Sequence, residues 1–104
     1  MFGFGVKSIS TAQLGERLAD GEPMLIDVRE PSEFRSGHVP GARNIPLGQL
    51  ADTLASLDPD AETLTICQSG NRSVTAAKLL TRAGFTHVYN VKGGTSAWRG
   101  KLVR

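Results

Sequence analysis

The sequence has few residues that could cross-link it, hold a metal or anchor it in a membrane. Its 104 residues include one cysteine, so no disulfide can form within the chain. This agrees with a reducing compartment, and we expect a cytoplasmic protein. Zinc is not expected, because Cys67 and two distant histidines offer no ligand spacing. No apolar run approaches the ~18 residues of a membrane helix, and residues 1–7 lack the features of a signal peptide.

The chain also has little excess charge of either sign. Its formal net charge is +2, with ten acidic groups spread along the sequence. That balance is too weak and too mixed to indicate nucleic acid or a membrane surface as a partner. The hydrophobic fraction of 39% and the charged fraction of 21% are typical of an ordinary folded domain. We expect a single domain over residues 1–104, with its core at about residues 6–99.

Short apolar runs alternate with helical patterns along the chain. Strands are predicted at residues 24–28, 64–67 and 88–91, and residues 38–46 are predicted to form a loop around a very short strand. Helices are predicted after a capping box at Ser10, at Pro31, over the leucines of residues 47–57, from about Arg72 to Gly84, and after Gly93. The pattern predicts an α/β fold with a parallel sheet and helices on both faces. Ligands bind at the carboxyl ends of such strands.

The single cysteine lies at one of these ends, in the loop Cys67-Gln68-Ser69-Gly70-Asn71-Arg72-Ser73. A helix that begins near Arg72 directs its unpaired N–H groups, with their partial positive charge, at this loop. Gly70 allows the chain to curl so that successive N–H groups form an anion-binding nest. Because helix N-termini and nearby cations lower the pKa of a thiol, we expect Cys67 to be a nucleophilic thiolate.

The other loop residues are candidates for substrate binding. Arg72 adds a two-pronged donor for a sulfur or phosphorus oxyanion. The side chains of Gln68, Ser69 and Asn71 are short enough to leave the pocket open. A lone cysteine at a strand end is otherwise most simply a small core residue. The glycine-containing loop and the Arg72-Ser73 pair favour the catalytic interpretation instead.

Asp27 and Arg29 stand at the end of the predicted strand at residues 24–28, so we expect them at the same edge of the sheet as Cys67. Charges near a core are usually paired, so we expect a structural brace that supports the site. Direct substrate binding by this pair is the less favoured alternative. We expect His38 to stabilise a turn rather than to act as a base, because a pre-formed thiolate needs none. Trp98 is expected to pack in the core or to form an aromatic wall.

Three motifs occur in order along residues 25–98. The first is Asp27-Val28-Arg29-Glu30 with Glu33-Phe34, Gly37-His38-Val39-Pro40-Gly41-Ala42 and Asn44-Ile45-Pro46. The second is the loop that begins at Cys67, and the third is Gly93-Gly94-Thr95-Ser96-Ala97-Trp98. Together they resemble the front motif, the active-site loop and the closing motif of single-domain rhodaneses, which are thiosulfate-type sulfurtransferases.

This resemblance implies a five-stranded parallel sheet and a persulfide cycle on Cys67. The thiolate would take sulfane sulfur from thiosulfate or a related donor and pass it to a thiophilic acceptor, either cyanide or a thiol. Thioredoxin and other protein thiols are among the candidate acceptors. Loop amides would stabilise the anionic persulfide, and neither a metal nor an organic cofactor is implied. The physiological donor and acceptor, and the oligomeric state, cannot be read from the sequence.

Three other functions use related features. Cysteine phosphatases and arsenate reductases combine a cysteine, an amide nest and an arginine, but their loop is longer than the residues 68–71 that separate Cys67 from Arg72 here. A non-catalytic rhodanese-like interaction module would usually lack the cysteine. A redox-active thiol would need an external partner, since the chain has no second cysteine. We regard these as alternatives to sulfur transfer.

Overall fold

The computed structural model describes residues 6–104 as one β-sheet covered by helices. The prediction about a signal peptide in residues 1–7 falls mainly on residues 1–5, which lie outside the described residues. The strands are β1 (Ser8–Ile9), β2 (Met24–Asp27), β3 (Arg43–Asn44), β4 (Thr63–Ile66) and β5 (Val88–Val91). The α-helices are α1 (Thr11–Asp20), α2 (Pro31–Ser36), α3 (Leu47–Thr53), α4 (Asn71–Arg82) and α5 (Gly94–Ala97).

The five strands form a parallel sheet with the order β1-β5-β4-β2-β3. The central strand β4 pairs with β2, where Asp27 lies opposite Ile66, and with β5 on its other side. Because all strands run in one direction, the loops after β2 and β4 meet at the same edge of the sheet. The predicted α/β fold with a parallel sheet is therefore confirmed.

Two hydrophobic clusters cover the two faces of the sheet. Residues of α3 and α4, including Leu50, Ala77 and Leu80, pack with Ile26 and Val28 on one face. On the other face α1 packs with the sheet; the buried residues there are Ile9, Leu14, Leu25, Val39, Leu64, Ile66 and Val91. Helices on both faces explain why all four residues of β4 are buried, although its sequence alternates threonine with leucine and isoleucine.

Helix α1 begins as the sequence predicts. Ser10 Oγ accepts a hydrogen bond from the amide of Gln13 at 3.1 Å, and the amide of Ser10 donates to Gln13 Oε1 at 2.8 Å. These reciprocal bonds form the predicted capping box. Within residues 6–104, no helix is long and apolar enough to cross a membrane.

The structure differs from the sequence prediction at several element ends. β1 was not predicted, because two residues are too short to give a hydrophobic pattern. The leucine-rich helix ends at Thr53, and a tight 3₁₀ turn over Leu54–Ser56 follows it. The amide of Leu57 bonds to the carbonyl of Leu54 at 3.1 Å in that turn, which keeps Leu57 in the core. α5 ends one residue before Trp98.

Candidate active site

The thiol of Cys67 lies at the carboxyl end of the central strand and is surrounded by donors. The amide of Gly70 donates to Cys67 Sγ at 3.1 Å, and the hydroxyl of Ser73 lies 3.4 Å from the same sulfur. Burial, the largest influence, raises the pKa of Cys67. The hydrogen bonds from the Ser73 hydroxyl and from the amides of Ser73, Gly70 and Ser69 outweigh it together and lower the pKa below its ordinary value. The loop thus favours a thiolate.

Gly70 makes this arrangement possible. It precedes α4 with φ +114°, in a region that residues with a side chain rarely adopt. The turn at Gly70 brings its own amide and the amide of Ser73, in the first turn of α4, towards the sulfur. The loop therefore has the curled geometry that the sequence predicts for an anion nest.

The pocket above the sulfur is less open than the sequence indicates. Cys67 is only 1% exposed and belongs to the core cluster between the sheet and α4. Gln68, Ser69 and Asn71 are exposed and lie over it. The expectation of an open pocket is wrong for this structure, because the loop folds closely around the sulfur.

A buried polar chain extends from the sulfur across the sheet. Besides facing Cys67, the hydroxyl of Ser73 donates to Asn90 Oδ1 at 2.5 Å and lies 3.1 Å from the carbonyl oxygen of Gly70. Asn90 Nδ2 in turn lies 3.4 Å from Ser8 Oγ. Asn90 is 2% exposed and belongs to β5. Strands β1 and β5 therefore hold the hydroxyl that faces the nucleophile.

Helix α5 fixes the loop from the other side. The amide of Thr95 donates to the carbonyl of Cys67 at 2.9 Å, and the amide of Ser96 donates to the carbonyl of Gln68 at 3.0 Å. Gln68 Nε2 also donates to Ser96 Oγ at 2.9 Å. A Cβ on Gly94 would lie 2.3 Å from the carbonyl oxygen of Cys67, so only glycine allows this close approach.

The structure shows Asp27 and Arg29 as a buried ion pair. The guanidinium of Arg29 bonds to both carboxylate oxygens of Asp27, at 3.0 Å to Oδ1 and 2.9 Å to Oδ2. It also donates to Gln68 Oε1 at 3.1 Å and to the carbonyl of Gly37 at 2.8 Å. This is the geometry of the expected brace, and it ties β2 and the end of α2 to the active-site loop. Its supporting role in the reaction remains a prediction.

Arg72 makes a contact that the sequence analysis did not foresee. Its two terminal nitrogens bond to the two carboxylate oxygens of Glu33, at 2.6 and 2.9 Å. This bond, the largest influence, lowers the pKa of Glu33 from 4.5 to about 2. The guanidinium of Arg72 is thus bound by Glu33 of α2. Its binding of an oxyanion remains a prediction.

His38 and Trp98 take structural positions. The imidazole of His38 stacks on the ring of Phe34 at a centroid distance of 3.6 Å, and His38 Nδ1 lies 2.8 Å from the Phe34 carbonyl oxygen. Its backbone pairs with Val103. Trp98 packs with the cluster beneath α1. These contacts agree with a turn-stabilising histidine and with a partly buried tryptophan that packs against the core.

Sequence reasoning did not identify Glu33, Asn90, Thr95 and Ser96 as parts of the site. Glu33 and the residues after Gly94 lie within the quoted motifs, but their partners are distant in sequence and give no local signal. The consecutive glycines were the available clue to a close backbone approach. Asn90 could have been suspected as a polar residue inside an apolar strand, because such a buried group needs a partner.

Comparison with known proteins gives a consistent result. A family model described as "Rhodanese-like domain" matches residues 10–101. The putative sulfurtransferase YtwF of Bacillus subtilis is 45% identical over 97 residues, which cover 92% of this chain and 93% of YtwF. The thiosulfate sulfurtransferase GlpE of Pseudomonas putida is 42% identical over 76 residues, with 73% and 69% of the two chains covered. The uncharacterized protein YqhL of Bacillus subtilis is 49% identical over 78 residues, covering 75% of this chain.

Solved structures show the same likeness. The human single-domain sulfurtransferase TSTD1 superposes with a TM-score of 0.84 at 30% identity, over 90% of this chain and 96% of TSTD1. The reduced CoADR-RHD of Bacillus anthracis superposes with a TM-score of 0.89 at 34% identity, over 98% of this chain. The chain spans 62% of YqhL and 18% of the CoADR-RHD chain, so both are longer proteins.

Proposed function

Since the chain belongs to the rhodanese-like sulfurtransferase family, we propose that it moves sulfane sulfur from thiosulfate or a related donor to a thiophilic acceptor through a persulfide on Cys67. The observation that carries the proposal is the sulfur of Cys67 within its ring of donors. The names of two relatives, thiosulfate sulfurtransferase GlpE and putative sulfurtransferase YtwF, support the same reaction.

The first half-reaction loads the cysteine. The thiolate of Cys67 attacks the outer sulfur of thiosulfate, and an S–S bond forms. The bond between the two sulfur atoms of thiosulfate breaks, and sulfite leaves with its electron pair. The product is an anionic persulfide, bound to the sulfur that the Ser73 hydroxyl and the amides of Ser69, Gly70 and Ser73 already surround. Donors already directed at this charge need no reorganisation during the step.

The second half-reaction transfers the outer sulfur from Cys67 to the acceptor. Cyanide attacks the outer sulfur of the persulfide, thiocyanate leaves, and the thiolate of Cys67 is restored. A thiol acceptor takes the sulfur in the same way. Gly70 and Ser73 hold the sulfur in both states, while Gln68, Ser69 and Asn71 form the rim over which donor and acceptor approach. We propose that Arg72 assists anionic donors only to the extent that it is released from Glu33, and that the Asp27–Arg29 brace keeps Gln68 in place.

Steady-state turnover tests this proposal. We expect thiocyanate to form from thiosulfate and cyanide with wild-type protein, and Cys67→Ser to abolish it. Ser56→Ala, which removes an exposed hydroxyl from the 3₁₀ turn after α3 and lies outside the candidate site, is the control and should retain most activity. Glutathione and reduced thioredoxin, in place of cyanide, identify the preferred acceptor. Turnover of an aryl phosphate with no thiocyanate formed would favour the phosphatase alternative and contradict the proposal.

A further inference from the structure

The guanidinium of Arg72 lies at the surface of the site and is already paired with a carboxylate. Arg72 lies in the first turn of α4, next to the loop, and its guanidinium meets the carboxylate of Glu33 in a two-pronged contact. The negative charges that raise the pKa of Arg72 are those of Glu33, foremost, and then of Cys67 and Glu30. The guanidinium of Arg72 therefore interacts electrostatically with Cys67, while its terminal nitrogens donate hydrogen bonds to Glu33.

Glu33 is fixed for this contact. It lies in the first turn of α2, where its Oε1 also accepts a hydrogen bond from the amide of Glu30 at 3.0 Å. The side chains of Arg72 and Glu33 are 37% and 34% exposed, so the pair lies at the surface of the site. An oxyanion that approaches Cys67 must therefore compete for Arg72 with the carboxylate of Glu33, which already binds both terminal nitrogens of the guanidinium.

We propose that Glu33 is a specificity-determining residue that withholds Arg72 from oxyanions, so that the site prefers sulfane donors with no oxyanion beside the transferable sulfur, such as small persulfides, over thiosulfate. This inference rests on the proposed function. With a persulfide donor, the thiolate of Cys67 attacks the outer sulfur of a protonated persulfide. The donor's own thiolate leaves with the electron pair, and the proton stays on the transferred sulfur.

The variant that tests the proposal is Glu33→Gln. Glutamine has the same shape and keeps an oxygen for the amide of Glu30, so α2 retains its N-terminal bond. It removes the charge that holds Arg72. Glu16→Gln is the matched control, because it makes the same change in net charge on an exposed residue of α1, which packs on the opposite face of the sheet from α4.

Two pairs of reagents test how well the site accepts an anion close to Cys67. Iodoacetate and iodoacetamide are nearly equal in size and differ in charge, so the ratio of their rates with Cys67 measures how well an anion is received. Thiosulfate and glutathione persulfide differ in the presence of an oxyanion beside the transferable sulfur. We expect Glu33→Gln to raise the iodoacetate ratio and the thiosulfate loading rate about 3- to 10-fold. The rate with glutathione persulfide should change less than about twofold.

Arg72 must carry the effect. In an Arg72→Ala background, Glu33→Gln should no longer raise the iodoacetate ratio, because there is no guanidinium to release. An unchanged ratio in Glu33→Gln, an equal rise in Glu16→Gln, or a rise that persists without Arg72 would each overturn the proposal.

The alkylation ratio needs no sulfur transfer, which separates the two claims. If no donor forms a persulfide while the ratio still rises in Glu33→Gln, the proposed function fails, and the preference among donors fails with it. If persulfides form and the ratio does not change, sulfur transfer stands and the role of Glu33 is refuted.

Discussion

Replacing Ser73 by alanine should make Cys67 a weaker acid. The hydroxyl of Ser73 has one proton and faces three acceptors: Cys67 Sγ, Asn90 Oδ1 and the carbonyl oxygen of Gly70. When Cys67 ionises, its sulfur becomes the only charged acceptor of the three and attracts that proton. Alanine removes this donor, so the thiolate loses a stabilising bond that the neutral thiol does not need.

The size of the effect follows from the geometry. A hydrogen bond to a charged group contributes about 1.5–3 kcal/mol, and one pKa unit corresponds to about 1.4 kcal/mol. The 3.4 Å separation between Ser73 Oγ and Cys67 Sγ favours the lower end, so the pKa should rise by about 1 unit. Below both pKa values the thiolate fraction then falls about tenfold. Each remaining thiolate is more nucleophilic, because reactivity increases with basicity, so the alkylation rate falls about threefold.

The assay is the pH dependence of iodoacetamide alkylation at Cys67. We expect the midpoint for Ser73→Ala to lie about 1 unit above that of wild type, while Ser69→Ala leaves it unchanged. Thermal unfolding should be recorded in parallel, since loss of the hydroxyl also leaves Asn90 Oδ1 without its donor, at a cost of about 1–3 kcal/mol. A folded Ser73→Ala protein with the wild-type midpoint would refute the reasoning.

Three further predictions concern the supports of the site. Gly94→Ala should lower the free energy of unfolding by about 2–5 kcal/mol and reduce sulfur transfer. Gly48→Ala should do neither, because a Cβ there meets no atom within 4 Å. Chemical denaturation and thiocyanate formation check both variants. Asp27→Asn leaves the buried charge of Arg29 unpaired and should cost about 3–5 kcal/mol by the same denaturation; a loss below about 1 kcal/mol would contradict a buried brace. The carboxylate of Glu33, with its pKa lowered from 4.5 to about 2, stabilises the fold above pH 4.5 and loses that effect as pH falls towards 2. Wild type should therefore lose up to about 1 kcal/mol more than Glu33→Gln on acidification, and equal losses would count against the pair.

The sequence predicted the features of this molecule that arise from local patterns. The capping box at Ser10 needs only neighbouring residues, and β2 begins with a continuous apolar run, so both were recognisable. The loop that begins at Cys67 was also legible, because the order of strand end, glycine and helix start is itself local. These patterns were sufficient to predict the α/β fold and the position of the thiol.

The contacts that were missed join residues far apart in sequence. The pairing of Glu33 with Arg72 depends on how α2 lies beside α4, and no local pattern encodes that placement. The bonds from α5 to the carbonyl of Cys67 likewise depend on the alignment of β4 with β5. The burial of Cys67 was also misjudged, because short neighbouring side chains do not by themselves show how closely a loop folds.

Intact-protein mass after incubation with thiosulfate tests the central claim most directly. Wild-type protein should gain the mass of one sulfur atom, peptide mapping should place it on Cys67, and cyanide should remove it with formation of thiocyanate. Cys67→Ser should show no gain. No gain in the wild-type protein, under conditions in which a known sulfurtransferase is loaded, would contradict the account.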